Sequence, residues 1–231
     1  MAEPGRRWDL VVFDWDGTLM DSTAQIVEAA RRAIAELGLP PREEAQVKEI
    51  IGLGLKESWH RLFPELAGED HFGAFVESYR GHFFSSELHV ARPFERVDAM
   101  LEGLRRGGYG LAVATGKSRR GLDRDFERTG LGRLFCGSRT ADETRSKPEP
   151  DMLLELLEAT GVPASRAVMV GDTEWDLEMA RRAGVASVGV GWGAHSMERL
   201  RRLESLACFE VLDELWDWLQ GRQPEARQGA G

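Results

Sequence analysis

The sequence contains little cysteine and has no long apolar run. Its 231 residues include only two cysteines, Cys136 and Cys208, which are too few for a disulfide framework or a cysteine-based structural zinc site. No apolar run approaches the roughly 18 residues that a membrane helix needs, and the stretch that follows Met1 is too soon interrupted by charge to resemble a secretory signal. We therefore expect a cytoplasmic protein that does not associate with membranes.

The sequence also contains fewer basic residues than acidic residues. Lys and Arg number 30 against 39 Asp and Glu, which gives a net charge of −9 and an isoelectric point near 5.2. Proteins that bind nucleic acids by general neutralisation of phosphates carry the opposite balance, so we expect no nucleic-acid partner. The acidic balance still allows a local basic pocket for one small anion.

Short apolar runs recur along the chain and predict the strands of a parallel sheet. They do not alternate with polar residues, which is typical of strands that are covered on both faces. The predicted strands are 10–13, 111–114, 134–136, 167–170 and 186–190, with an edge strand in 208–212. Helical patterns lie between them at 94–106, 151–160 and 175–183, and a closing helix follows at 213–219. This alternation predicts a doubly wound α/β core of the Rossmann type with right-handed crossovers.

One long segment interrupts the alternation. Residues 22–88 show no strand pattern, and apolar residues at helical spacing predict helices at 26–37, 43–51, 56–63 and 72–84. An insertion of roughly 65 residues is the size of a small helical bundle. We predict a core formed by residues 1–18 and 89–231, a helical cap over its carboxyl edge at 19–88, and a frayed tail at 221–231.

The first chemical motif follows the first strand directly. Asp14 and Asp16 stand two residues apart where ligands bind in an open parallel sheet, so their carboxylates can converge on one site. Gly17 allows a sharp turn and can offer its N–H to an anion. An EF-hand calcium loop is excluded because its sixth and twelfth positions would be Leu19 and Gln25. A polar turn with two capping aspartates is the remaining alternative.

The second motif is Thr115-Gly116-Lys117, directly after the predicted strand 111–114. A hydroxyl, an unobstructed N–H and an ammonium at the start of a helix suit a phosphate oxygen. The alternative is an N-cap threonine followed by a solvated lysine.

The third motif is Lys147-Pro148. Proline suits the first turn of the helix that follows, and it would place Lys147 just before that helix. The alternative is an ordinary surface lysine.

The fourth motif places Asp172 at the end of the predicted strand 167–170 and Asp176 one helical turn later. Carboxylate oxygens grouped in this way suit Mg²⁺. The alternative is a helix whose first turn is acidic because the helix dipole favours negative charge there.

The four motifs together, in this order at four strand ends, resemble the haloacid dehalogenase superfamily. The interval from Asp14 to Thr115 is 101 residues, whereas Thr115 to Lys147 is 32 and Lys147 to Asp172 is 25. Only the first interval leaves room for a cap, as in the branch of that superfamily with a helical cap after the first motif. Within that branch the sequence is most similar to phosphoglycolate phosphatases.

The resemblance implies a phosphate-monoester hydrolase that uses Mg²⁺ and an aspartyl-phosphate intermediate. Asp14 would be the nucleophile and Asp16 the general acid and base. The metal would be held by the side chains of Asp14 and Asp172 and by the backbone carbonyl of Asp16, while Asp176 would orient a neighbouring group. The substrate phosphate would be held by Gly17, Thr115, Gly116, Lys117 and Lys147.

A glycine-rich turn in the predicted cap, Gly52 to Lys56, ends in a cation. We expect this turn to close over the leaving group, where Lys56 would bind the carboxylate of a substrate such as phosphoglycolate, with help from Arg61 or Lys117. The alternative is that Lys56 is only a residue of the first helical turn.

Several other functions remain open on the sequence alone. A sugar-phosphate mutase or a pyrophosphatase could use the same motifs, and a non-catalytic protein could bind a phosphorylated metabolite without turnover. The pattern Gly189-x-Gly191-x-x-Ala194 formally matches a dinucleotide fingerprint. Too little chain follows it for a nucleotide-binding half, so we interpret it as a strand-to-helix turn. The expected partner is a small phosphorylated metabolite, and the expected state is a monomer or homodimer.

Overall fold

The computed structural model describes residues 6–66, 69–85 and 91–222, with the backbone alone at residues 69 and 70. The predicted frayed tail lies outside these ranges from residue 223 onward. The predicted boundary between cap and core, at residues 88 and 89, also lies outside them.

A parallel sheet of six strands forms the centre of the described structure. The strands of the described residues are β1 Leu10–Phe13, β2 Met20–Asp21, β3 Arg92–Pro93, β4 Gly110–Thr115, β5 Gly137–Thr140, β6 Ala167–Gly171, β7 Ala186–Val190 and β8 Ala207–Phe209. The six-stranded sheet contains all of them except β2 and β3. The sheet has the order β5-β4-β1-β6-β7-β8, while β2 pairs antiparallel with β3. The predicted doubly wound α/β core is confirmed.

Helices cover both faces of this sheet and form the insertion after β1. They are α1 Thr23–Glu36, α2 Glu44–Glu49, α3 Leu55–Leu62, α4 Glu69–Ser85, α5 Val97–Arg106, α6 Arg119–Thr129, α7 Asp151–Thr160, α8 Glu174–Arg182, α9 Met197–Leu200 and α10 Leu212–Leu219. Helices α1–α4, hereafter the cap helices, correspond to the four predicted in the insertion. None of the described helices is long and apolar enough to cross a membrane.

Strand β1 shows why its run of four apolar residues does not alternate. Leu10 and Val12 pack into the layer that contains residues of α7 and α8, whereas Val11 and Phe13 pack into the layer of α5, α6 and α10. All four side chains are completely or almost completely buried. Burying each stabilises the fold by roughly 1.5–3 kcal/mol, and this fixes β1 at the centre of the sheet.

The strand order brings three predicted motifs to one edge. Phe13 of β1 pairs with Val113 of β4 on one side and with Val170 of β6 on the other. The chain continues from β1 to one side of the sheet and later returns to β6 on the opposite side. A crevice for ligands therefore opens at the carboxyl ends of these central strands.

The predicted strand at 134–136 is wrong. Leu134 ends a 3₁₀ turn, Leu131–Leu134, and the strand begins only at Gly137. Both leucines of the turn are buried in the core, which explains their apolar signal. Strand β5 lies at the edge of the sheet and three of its four residues are only partly buried, so its sequence Gly-Ser-Arg-Thr does not show the apolar pattern.

Other boundaries shift for local reasons. Helix α5 begins at Val97 rather than at residue 94, because Arg96 before it adopts a left-handed conformation with φ of 67°. The predicted edge strand at 208–212 is confirmed as β8, but it ends at Phe209. The pairing of β2 with β3, which joins the two ends of the insertion, was not predicted, since two residues carry no usable pattern.

Candidate active site

A buried lysine lies at the centre of the crevice. The Nζ atom of Lys147 is 2.8 Å from Asp14 Oδ1 and donates a hydrogen bond of 2.6 Å to Asp176 Oδ1. All three side chains are at most 1% exposed. Burial lowers the pKa of Lys147, but the two carboxylates more than offset this and hold its pKa above the ordinary value. The ammonium is therefore charged, and the predicted alternative of a surface lysine does not apply.

Three carboxylates share this small volume. One ligand oxygen from each of Asp14, Asp172 and Asp176 lies within 4.8 Å of the others. Burial raises the pKa of Asp172 to about 7, with a further contribution from Asp176, and burial likewise raises the pKa of Asp14 well above its usual range. The cause is that three negative charges face one ammonium away from water.

This imbalance fits a divalent cation. Three ionised carboxylates and one ammonium leave two negative charges, and Asp14 Oδ2 is buried with no hydrogen-bond partner. Hard oxygen donors with spare negative charge are the ligands that Mg²⁺ prefers. Asp14 is the most available of the three carboxylates, because both oxygens of Asp172 and both oxygens of Asp176 already accept hydrogen bonds.

Asp172 is fixed by the loop that follows β7. The hydroxyl of Thr18 donates to Asp172 Oδ1 at 2.7 Å, and the N–H of Ala194 donates to Asp172 Oδ2 at 2.7 Å. A Cβ atom at Gly193 would lie 2.1 Å from Asp172 Oδ2, so only glycine allows this approach. The stretch that formally matched a dinucleotide fingerprint is thus a turn that holds a site carboxylate.

Gly17 serves a different purpose from the one predicted. Its N–H donates to the carbonyl of Met20 at 2.8 Å, so the N–H is already used within the turn. Its φ is +84°, and a Cβ atom would lie 2.3 Å from Asp172 Oδ2. Glycine is needed here to bring the turn against Asp172.

Asp176 is held by the start of its own helix. Thr173 and Asp176 form a reciprocal capping box at the N-terminus of α8. The Thr173 hydroxyl and backbone N–H both donate to Asp176 Oδ2, at 2.7 and 3.1 Å. The other oxygen thereby accepts the hydrogen bond from Lys147, and the orienting role of Asp176 stays a prediction.

Asp16 belongs to a second, separate polar group. The Ser22 hydroxyl donates to Asp16 Oδ1 at 2.8 Å, and Lys117 Nζ lies 3.0 Å from that oxygen and 2.9 Å from Oδ2. The same ammonium lies 3.4 Å from Asp125 Oδ2 and 4.8 Å from the centre of the Phe83 ring. Lys117 is therefore not a solvated lysine, and its nearest partner is the carboxylate of Asp16.

The predicted phosphate-binding turn meets the cap. Thr115 is buried at the end of β4. A Cβ atom at Gly116 would lie 2.5 Å from the carbonyl oxygen of Gly52, so the cap turn sits directly on this position. The N–H of Gly54 donates to Ser146 Oγ at 2.7 Å, next to Lys147. The glycine-rich turn thus lies against the core, and its predicted closure over the leaving group stays a prediction.

The two cap cations that the sequence suggested as substrate ligands, Lys56 and Arg61, do not lie at the cavity. Lys56 is exposed on α3 and is not among the described residues that line the crevice. Arg61 stacks on the Trp175 ring at 4.3 Å and pairs with Glu57 on its own helix. The structure therefore does not bring Lys56 or Arg61 together with the other predicted site residues.

A cavity of about 110 Å³ separates the cap helices from the core motifs. Asp14, Asp16, Thr115, Gly116 and Lys117 form its floor. Its other walls come from the cap helices, from the turn between α2 and α3, and from Ser118 and Gly121 at the start of α6. The predicted nucleophile, Asp14, and the predicted acid and base, Asp16, therefore line the same cavity.

Several residues around the site had no role in the sequence interpretation. Thr18 and Ser22 orient the carboxylates of Asp172 and Asp16, and Asp125 holds Lys117. The dense glycines at 189, 191 and 193 were the available signal for the loop that holds Asp172. Asp125 carries no local signal, because its approach to Lys117 depends on how α6 packs.

Comparisons with known proteins agree with this arrangement. The model of the family described as haloacid dehalogenase-like hydrolase matches residues 11–190. The "Probable phosphatase IndB" of Dickeya dadantii is 33% identical over 89% of this chain and 91% of its own length. A phosphoglycolate phosphatase of Aquifex aeolicus is 31% identical over 80% of this chain and 85% of its own. A 5'-nucleotidase of Pseudomonas aeruginosa is 33% identical over 87% and 90%.

Solved structures share the fold. A hydrolase from Pseudomonas syringae superposes with a TM-score of 0.84 at 23% identity, covering 93% of this chain and 99% of that one. A structure titled as a predicted phosphoglycolate phosphatase from Haemophilus somnus gives a TM-score of 0.82 at 24% identity, with the same coverage.

Proposed function

The chain belongs to the haloacid dehalogenase-like hydrolase family and hydrolyses phosphate monoesters. We propose that it does so through a covalent aspartyl-phosphate, an acyl phosphate on Asp14, with Mg²⁺ as cofactor. The observation that carries the proposal is the placement of Asp14. Its carboxylate is buried against an ammonium and opens on the same cavity as a second carboxylate, Asp16.

The first chemical step is attack by an Asp14 oxygen on the phosphorus of the substrate. The bond between phosphorus and the leaving oxygen breaks as the new bond forms. A carboxylate and a phosphate dianion repel each other, and the ammonium of Lys147, 2.8 Å from Asp14 Oδ1, reduces that repulsion. Positioning and charge neutralisation are the main contributions to phosphoryl transfer.

Asp16 moves the protons. It donates one to the leaving oxygen in the first step and accepts one from the attacking water in the second, when the bond between Asp14 and phosphorus breaks. Ser22 and Lys117 hold its carboxylate at the cavity.

Mg²⁺ would be held by the side chains of Asp14 and Asp172 and by the backbone carbonyl of Asp16, and it would supply positive charge beside the transferred phosphoryl group. The spare charge of the buried carboxylates and the unpartnered Asp14 Oδ2 support this assignment.

The proposed substrate is a small phosphorylated metabolite, and phosphoglycolate is the first to test because several relatives bear that name. A panel of phosphate esters with release of inorganic phosphate as the readout tests the proposal. No release from any ester, by folded protein with Mg²⁺, would favour a non-catalytic binding protein. Isomerisation of a sugar phosphate without release would favour a mutase. The cytoplasmic location and the monomeric or homodimeric state expected from the sequence stay part of the proposal.

Replacing Asp16 by Asn is expected to slow esters of ordinary alcohols by about 10²–10⁴-fold, because an alkoxide leaving group needs a proton. Phenyl phosphate needs less help, so its first step should slow much less. Rapid-quench measurement of phosphoenzyme formation with both esters checks this. If both esters lose the same factor, Asp16 is not the acid.

Mg²⁺ is expected to raise the melting temperature of the protein, because it binds the folded state and relieves the repulsion of the buried carboxylates. At a concentration of 100 times the dissociation constant the gain is about 2.7 kcal/mol. Calorimetry with and without EDTA measures the shift. Asp172→Asn should remove most of it, while Asp123→Asn on the exposed face of α6 should keep it. An equal shift in both variants would place the cation elsewhere.

A further inference from the structure

The cap side of the cavity is apolar where it faces the reacting groups. Six of the residues that line it are Ile26 of α1, Ile51 and Leu53 of the turn between α2 and α3, Leu55 of α3, and Phe83 and Phe84 of α4. A polyhydroxylated or charged leaving group would lose its water against these side chains with few partners in return. We propose that the substrate is a phosphate monoester whose leaving group is small and apolar, a short branched alkyl chain or a single ring. This inference rests on the proposed hydrolase function.

The buried cation of the cavity is already engaged. Lys117 contacts the carboxylates of Asp16 and Asp125 and lies over the Phe83 ring. A carboxylate on the leaving group would have to compete with two carboxylates for one ammonium. The other lining cation among the described residues, Arg80, is exposed. Its guanidinium stays hydrated, so it contributes less to binding an anion than a buried partner would.

Tyr79 adds one uncharged polar group beside the apolar wall. Its side chain lines the cavity, and its hydroxyl makes no hydrogen bond to any described residue. Burial raises the pKa of Tyr79, so this hydroxyl stays neutral. It can bond a single oxygen or nitrogen of a ligand without demanding a charge. The apolar wall therefore fits a mainly hydrocarbon group, and Tyr79 could bond one polar atom on it.

The volume limits the size of that group. An engineered apolar cavity of about 150 Å³ is known to hold benzene, and pockets for drug-sized ligands begin at about 300 Å³. The 110 Å³ found here must also hold part of the phosphoryl group, so it favours a leaving group of about four carbon atoms or a small ring.

Two esters of nearly equal shape distinguish an apolar leaving group from a charged one. Phosphoglycolate and isobutyl phosphate both have a primary alkoxide leaving group, and they differ in carrying a carboxylate or an isopropyl group at the same position. Ethyl phosphate provides the shorter apolar reference. We expect kcat/KM for isobutyl phosphate to exceed that for both other esters by at least about tenfold, since one methylene in an apolar pocket is worth 10-fold or more.

Variants of the wall locate the effect. Leu55→Ala and Ile26→Ala should each lower kcat/KM for isobutyl phosphate by about tenfold and change the values for ethyl phosphate and phosphoglycolate less than twofold. Leu154→Ala, which truncates an exposed leucine of α7 away from the cavity, should change none of them. Thermal melting shows whether each variant is folded. If one of the two wall variants does not fold, the other still tests the proposal.

The outcomes are distinct. If wild-type protein prefers phosphoglycolate, or treats the three esters alike, the apolar assignment is overturned while phosphate release upholds the hydrolase function. A selective loss with phosphoglycolate in Arg80→Gln would likewise overturn it, because Arg80 would then bind a carboxylate. If no ester is hydrolysed, the hydrolase function itself fails and the inference with it.

Discussion

Asp14→Asn is expected to lower phosphate release by about a thousandfold or more, which corresponds to roughly 4 kcal/mol of transition-state stabilisation. An amide is a poor nucleophile, and the covalent route requires a carboxylate oxygen to attack phosphorus. The substitution also removes one of the two side-chain carboxylates that we expect to hold Mg²⁺. Steady-state phosphate release, with acid trapping of the phosphoenzyme from labelled substrate, measures the loss.

The fold should survive this change. Asn has nearly the same shape, and Lys147 keeps its 2.6 Å hydrogen bond to Asp176. Without Mg²⁺, removing one of three crowded carboxylates should leave the melting temperature unchanged or raise it. Asp123→Asn makes the same chemical change on the exposed α6 and should retain full activity. A folded Asp14→Asn protein that keeps even a tenth of the activity would rule out Asp14 as the nucleophile.

Lys147→Met is expected to destabilise the fold by about 3–5 kcal/mol, because it leaves buried carboxylates without their cation. Asp14 and Asp176 are almost completely buried, and their ammonium partner is removed in one step. Activity should fall as well, since the repulsion between Asp14 and the substrate phosphate is no longer reduced. Urea unfolding curves without Mg²⁺ give the free energy of unfolding, and phosphate release gives the activity.

A surface lysine provides the matched control. Lys48 pairs with Glu44 at 2.7 Å on α2, where the lysine side chain is 40% exposed, so Lys48→Met should cost about 1 kcal/mol or less. Adding Asp176→Asn to Lys147→Met should recover part of the lost stability, because one of the unpaired charges is then gone. If Lys147→Met costs no more than Lys48→Met, the buried carboxylates hold protons in the folded protein and Lys147 does not neutralise them.

Buried, continuous apolar segments could be predicted well from the sequence. Strands β1, β4, β6 and β7 were recognisable because both of their faces are covered, so that nearly every residue in them is apolar. Strand β5 was misplaced because it lies at the edge, where the chain needs no apolar run. The four inserted helices followed from their spacing, and only their first and last residues shifted.

The part of the candidate site that lies at strand ends could be predicted from the sequence. Topology alone brings the carboxyl ends of β1, β4 and β6 together, so Asp14, Thr115 and Asp172 had to be neighbours. Lys147 lies in a loop, and its position was implied only by the resemblance to a family. The structure adds the physical reason for that lysine, which is the ion pairs with Asp14 and Asp176.

The sequence by itself determined the fold class, the order of the motifs and the chemistry of the carboxylates, because these depend on local pattern and on strand order. Only the tertiary structure decided which groups are free to act. In the folded protein the N–H of Gly17 is bonded to Met20, and Lys117 is paired with Asp16. Lys56 lies on the surface, and side chains of α1, α3 and α4 together form an apolar wall. Such facts depend on distances between elements, and distances of that kind are set by packing rather than by any single stretch of residues.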